Sequence, residues 1–82
     1  LSFDQVVVFP NPSSGSFNIS QETRHPYKRM ELFNSIGQSV HSEILYDTNQ
    51  VVAPPEHLMG MHLIVLYNSK NQPVARTSIL LN

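Results

Sequence analysis

Lys28-Arg29-Met30-Glu31-Leu32-Phe33-Asn34-Ser35-Ile36-Gly37-Gln38-Ser39-Val40-His41-Ser42-Glu43-Ile44-Leu45 is the stretch on which the fold turns. Its first part alternates, with Met30 and Leu32 on one face and Phe33 on the other, the period of two expected of a half-buried strand. Asn34 suits the first position of a type I turn, and Gly37 can take the positive φ of a glycine bulge, so the chain is predicted to reverse there. Gln38 to Leu45 then runs back, with Val40 and Ile44 in register on one face before Leu45 and Tyr46 break the pattern. The two halves are predicted to pair as a hairpin.

The flanking segments repeat the β pattern. Val6-Val7-Val8-Phe9 is short and β-branched and ends at Pro10, which suits a strand buried on both faces or a sheet edge. Ser16 to Ser20 puts Phe17 and Ile19 on one face. Val51 and Val52 mark a short strand stopped by Pro54-Pro55. Met61 to Tyr67 is apolar on both faces apart from His62, as a central strand would be. Val74 to Leu81 supplies a last strand. About seven short strands spaced by roughly 8–12 residues predict an all-β fold, an antiparallel β-sandwich. Pro55-Glu56-His57-Leu58-Met59 has room for one turn, not a helix with a face to bury.

Turn residues punctuate these strands. In Pro10-Asn11-Pro12-Ser13-Ser14-Gly15 each proline fixes its own φ and keeps its predecessor extended, so the chain is expected to swing from one sheet edge toward the next before Gly15 turns it back. Asn68-Ser69-Lys70-Asn71-Gln72 reads as a hairpin loop in which Asn71 best tolerates positive φ. Leu58 is expected to plug the bottom of the core, and Gly60, two residues on, to let the next strand begin.

Composition narrows the function. With 82 residues the chain makes one domain with one thin core. Five Lys plus Arg against six Asp plus Glu leave a formal charge of −1, which lacks the basic footprint of a nucleic-acid binder. The absence of cysteine removes disulfides, Cys-ligated zinc and a thiol nucleophile together. No apolar run approaches the ~20 residues of a membrane helix. Of His25, His41, His57 and His62, only His41-Ser42-Glu43 has a spacing that puts two ligands on one strand face, and zinc normally takes three or four. His62 is expected to pack at a sheet face with its ring bonded to backbone. Ser13, Ser14 and Ser16 lack a Gly-x-Ser-x-Gly elbow, and with Gly15 they are too few to cradle phosphate. Glu22, Arg24 and His25 read as a solvated loop rather than an acid–base cluster. Asn18-Ile19-Ser20 forms a glycosylation sequon, but mid-strand. No catalytic residue, metal or cofactor is therefore assigned.

Three motifs in order resemble one family. They are Val7-Val8-Phe9-Pro10-Asn11-Pro12-Ser13-Ser14-Gly15, then Glu31-Leu32-Phe33-Asn34-Ser35-Ile36-Gly37-Gln38-Ser39-Val40, then Leu58-Met59-Gly60-Met61-His62-Leu63-Ile64-Val65 followed by Val74 to Leu81. Together they resemble the C-terminal sorting domain, type A, of the type IX (Por) secretion system of Bacteroidota. Three positions depart from the family pattern. His62 stands where an aromatic is usual, Asn71 replaces the usual loop glycine, and the final strand is less basic.

The resemblance implies an immunoglobulin-like sandwich over residues 6–82, behind residues 1–5 as the end of a linker from an upstream cargo region. A start at Leu1 rather than Met fits a piece of a longer polypeptide. It further implies a non-catalytic signal that directs the cargo through the periplasm and across the outer membrane to the surface or medium. The implied partners are the secretion machinery and a sortase that removes the domain; nucleic acid and direct membrane insertion are not implied. Val74, Arg76, Ser78, Ile79, Leu80, Leu81 and Asn82 are the candidate recognition residues, because a terminal apolar strand can offer backbone groups for strand addition. Pro10, Asn11, Pro12, Gly15, Asn34, Gly37, Gln38, Leu58 and Gly60 are the structural motif. The alternative function is a carbohydrate-binding or fibronectin-like accessory module of a secreted hydrolase. Against it, there is no Trp, and Tyr27, Tyr46 and Tyr67 fall in separate segments.

Overall fold

A computed structural model describes residues 6–11, 13–20, 27–47 and 49–82. Pro12, the loop holding Glu22, Arg24 and His25, and the proposed linker 1–5 lie outside the described residues. Seven strands follow in order: β1 (Val7–Phe9), β2 (Phe17–Ser20), β3 (Arg29–Phe33), β4 (Ser39–Ile44), β5 (Asn49–Val52), β6 (Gly60–Tyr67) and β7 (Pro73–Leu81). They form two antiparallel sheets, β1-β2-β5 and β4-β3-β6-β7. The predicted β-sandwich is therefore the observed architecture, with no helix among the described residues.

One core joins the sheets. Phe17 and Ile19 of β2 and Val52 of β5 meet Met30 and Leu32 of β3, Ile64 and Leu66 of β6, and Ala75, Ile79 and Leu81 of β7. These residues alternate along their strands because only one face of each sheet is turned away from water. β1 takes the edge option, with Val8 packed on the core while Val7 and Phe9 face out.

The Asn34–Gly37 reversal has the predicted form. Gly37 N–H donates to the Asn34 carbonyl at 3.0 Å, Asn34 N–H to the Gln38 carbonyl at 2.9 Å, and Gly37 holds φ +84°. The following strand departs from its predicted pattern. Leu32 pairs with His41 but Phe33 with Ser39, so Val40 is an extra residue in the ladder. That bulge turns Val40 onto the core, while Ile44, in register with it in sequence, lies on the outer face beside Arg29 and is 52% exposed. His41 and Glu43 consequently face inward, opposite Leu32 and Met30.

β6 is central, hydrogen-bonded to β3 and β7, but it is not buried on both sides as its composition suggested. His62, Ile64 and Leu66 point into the core, whereas Met61 and Leu63 on the outer face are 52% and 38% exposed. A two-layer sandwich covers only one face of each sheet, and none of the described residues supplies a third layer over these side chains.

Candidate functional site

β7 is the last strand and an edge of the four-stranded sheet. Pairing with β6 sends Ala75, Thr77, Ile79 and Leu81 to the inner side and Arg76, Ser78 and Leu80 to the outer. Ile79 and Leu81 are buried, so within the folded domain they complete the core. Val74, displaced by the irregularity between Leu66 and Tyr67, also packs against the core. Of the seven candidate recognition residues, Arg76, Ser78, Leu80 and Asn82 are left to present side chains at the surface.

The backbone edge of β7 is not open where the sequence expects it to be. Ser13 N–H donates to the Leu80 carbonyl at 2.8 Å, and Asn82 N–H donates to the Ser13 carbonyl at 2.8 Å, a parallel bridge. One step back, Leu80 N–H donates to Asn11 Oδ1 at 3.0 Å, and Asn11 Nδ2 donates to the Ser78 carbonyl at 3.3 Å. The chain leaves β1 at the edge of one sheet, and Asn11 and Ser13 then bond β7 in the other. Ser13 is buried, and its hydroxyl is held by Gly15 and Ser16, donating toward carbonyls at 3.0 Å each and accepting Gly15 N–H at 3.3 Å.

The other motif residues hold the frame. Leu58 packs against the core, and its N–H closes a turn onto the Pro55 carbonyl at 3.2 Å. Gly60 opens β6 at φ +93°. Asn71 carries the positive φ, +61°, that the loop without glycine requires. Asn34 Oδ1 accepts the N–H groups of Ile36 and Gln38, and its amide donates to Gln38 Oε1. Asn68 repeats this with Lys70, Gln72 N–H and Gln72 Oε1. His62 is 6% exposed with Nδ1 3.0 Å from the Gly60 carbonyl, the backbone-bonded ring expected of it.

A polar network on the outer sheet face escapes the sequence reading. Arg29 lies 4.0 Å over the Tyr67 ring, reaches Glu31 at 3.4 Å and donates to Asn71 Oδ1 at 2.7 Å. Glu31 accepts from the Tyr67 hydroxyl at 2.9 Å and from Ser39 at 2.6 Å. The Ser39 hydroxyl chiefly holds the Glu31 carboxyl below its usual 4.5; burial opposes this, while Tyr67 and Arg29 assist. Burial, with the hydrogen bond to Glu31, raises the Tyr67 phenol above its usual 10.0. Alternation could have placed Arg29 and Glu31 on one face, but Tyr67 joins them only through the β3–β6 register.

His41 Nε2 and Glu43 Oε2 lie 2.7 Å apart at the sheet edge, and no group of three or more His, Cys, Asp or Glu gathers among the described residues. Tyr27 is buried, Tyr46 exposed and Tyr67 lies under Arg29, so the three tyrosines form no common platform.

Comparison with known protein families matches residues 7–79 to the secretion system C-terminal sorting domain. The chain belongs to this family. The match spans β1 through most of β7, including the first two motifs quoted from the sequence and the third as far as Ile79. A comparison with curated proteins found no match. As a type IX secretion C-terminal sorting domain, the chain is a sorting signal for export across the outer membrane to the surface or extracellular space. The family is not known as catalytic.

Proposed function

We propose that residues 6–82 form a non-catalytic address label for a cargo fused upstream, with residues 1–5 ending the connecting segment. The export machinery reads the final strand of this label, and a surface sortase then removes the domain. The single observation behind this reading is the family match over residues 7–79. The fold supports it, because the last strand is an edge strand whose Arg76, Ser78, Leu80 and Asn82 side chains reach the surface while Val74, Ile79 and Leu81 anchor it. In transit the domain passes through the periplasm.

A reporter fused ahead of the 82 residues tests the reading in a type IX-competent host. Export of the intact fusion is expected to be lost on deletion of Ser78–Asn82. Export of the truncated fusion at the intact level would refute it. A carbohydrate-binding role finds no support in the tyrosine arrangement, since sugar platforms stack on exposed, coplanar rings.

A further inference from the structure

Both edges of the four-stranded sheet are capped by a side-chain carboxamide that imitates a peptide. At the end of β4 and just beyond it, Gln50 Nε2 donates to the Ile44 carbonyl at 2.9 Å, and Gln50 Oε1 accepts Tyr46 N–H at 2.7 Å. On β7, Asn11 does the same to the Ser78 carbonyl and Leu80 N–H. In each case one amide bonds a carbonyl and the N–H two residues later, the pattern a parallel neighbouring strand makes. On β7 the imitation continues, because backbone Ser13 takes the Leu80 carbonyl and Asn82 N–H in the same pattern.

Together Asn11 and Ser13 occupy the outward backbone groups at Ser78, Leu80 and Asn82, within the segment that the sorting reading assigns to recognition. The imitation is incomplete. At Asn11 a single exposed side chain, rather than the backbone, occupies the Ser78 carbonyl and Leu80 N–H. A genuine strand would satisfy the same groups and continue along the edge, so it can outcompete this cover.

We propose that Asn11 and Ser13 form a clasp that keeps the Ser78–Asn82 edge shut, and that an extended strand of a partner protein adds to this edge once the clasp is displaced. The proposal rests on the sorting reading for the partner being part of the export apparatus. In the closed state the edge is silent, which protects a soluble intermediate from edge-to-edge pairing.

Locking the clasp tests this. Ser13 and Leu81 are bridge partners with both side chains buried, and neighbouring strands lie ~4.8 Å apart, within the Cα separation a disulfide spans. The Ser13→Cys/Leu81→Cys reporter fusion is expected to be exported at least tenfold less when oxidised than when kept reduced with dithiothreitol. Equal export of the oxidised and reduced forms overturns the clasp. Asn11→Ala provides an independent arm. Its Leu80 amide is expected to exchange with solvent at least tenfold faster than in the parent domain, with export at or above the parent level. Unchanged exchange, or reduced export, also overturns the clasp. If deletion of Ser78–Asn82 leaves export intact, the sorting reading itself has failed. If deletion abolishes export while locking does not, only the clasp has failed.

Discussion

Replacing Gly60 by each hand of alanine separates backbone strain from packing at the start of β6. Gly60 sits at φ +93°, and a Cβ built there meets nothing within 4 Å. Any cost of an L side chain is therefore local, arising from its own backbone rather than from a neighbour that must move. Sparsely populated φ/ψ regions cost about 1–3 kcal/mol. Against this stands a gain of about 0.4–1 kcal/mol from the reduced freedom of the unfolded chain. L-alanine should thus destabilise by a net of about 0.5–2 kcal/mol, and Gly60→Val, with its branched side chain, by up to about 3 kcal/mol. For D-alanine positive φ is the relaxed side, so only the unfolded-state gain remains and the protein should be stabilised by about 0.4–1 kcal/mol. At roughly 4–8 °C per kcal/mol for a domain of this size, the two alanines should differ in Tm by several degrees, in opposite directions from glycine. A chain of 82 residues is accessible to chemical synthesis and ligation, and thermal unfolding followed by circular dichroism reads the result. Equal Tm values for the two hands would show that the strained φ does not govern this position.

Three further outcomes follow from the same structure. Asn34→Ala and Asn68→Ala each remove a side chain that accepts two backbone N–H groups in a tight turn, and each should cost about 1–2 kcal/mol; denaturant midpoints shifted by less than a quarter of that would contradict the geometry. Ile64→Ala empties the middle of the central strand's buried face and should cost about 2–5 kcal/mol, enough to unfold a marginal domain, as a urea titration would reveal. The folded state favours the Glu31 carboxylate, so its contribution is fully present above the usual 4.5 and is lost as pH falls through the lower folded value. The stability gap between the parent and Glu31→Gln should accordingly narrow as pH falls below the usual 4.5; a gap that stays constant would mean Glu31 is not held by its network.

Local signals carried much of the fold, and they failed where a neighbour intervened. The turn at Asn34–Gly37 and the positive φ at Gly37 and Asn71 were legible because each depends on one or two residues' own conformational preferences. Val40 and Ile44 read as one face, yet the bulge opposite Phe33 sends one inward and the other outward. A one-residue slip reverses every later side chain, and the slip is a property of the pair of strands rather than of either alone. Met61 and Leu63 looked buried because their strand is apolar throughout; their exposure depends on how many layers the domain has.

The family and the set of strands were determined by order and spacing along the chain, since alternation, proline and glycine act over a few residues. Which groups at the last strand are free was decided only in three dimensions. Asn11 and Leu80 are 69 residues apart, and only the assembled sandwich brings that amide alongside the final strand. A hydrogen bond between segments so distant follows from the docking of two sheets, and nothing in either segment taken alone encodes it.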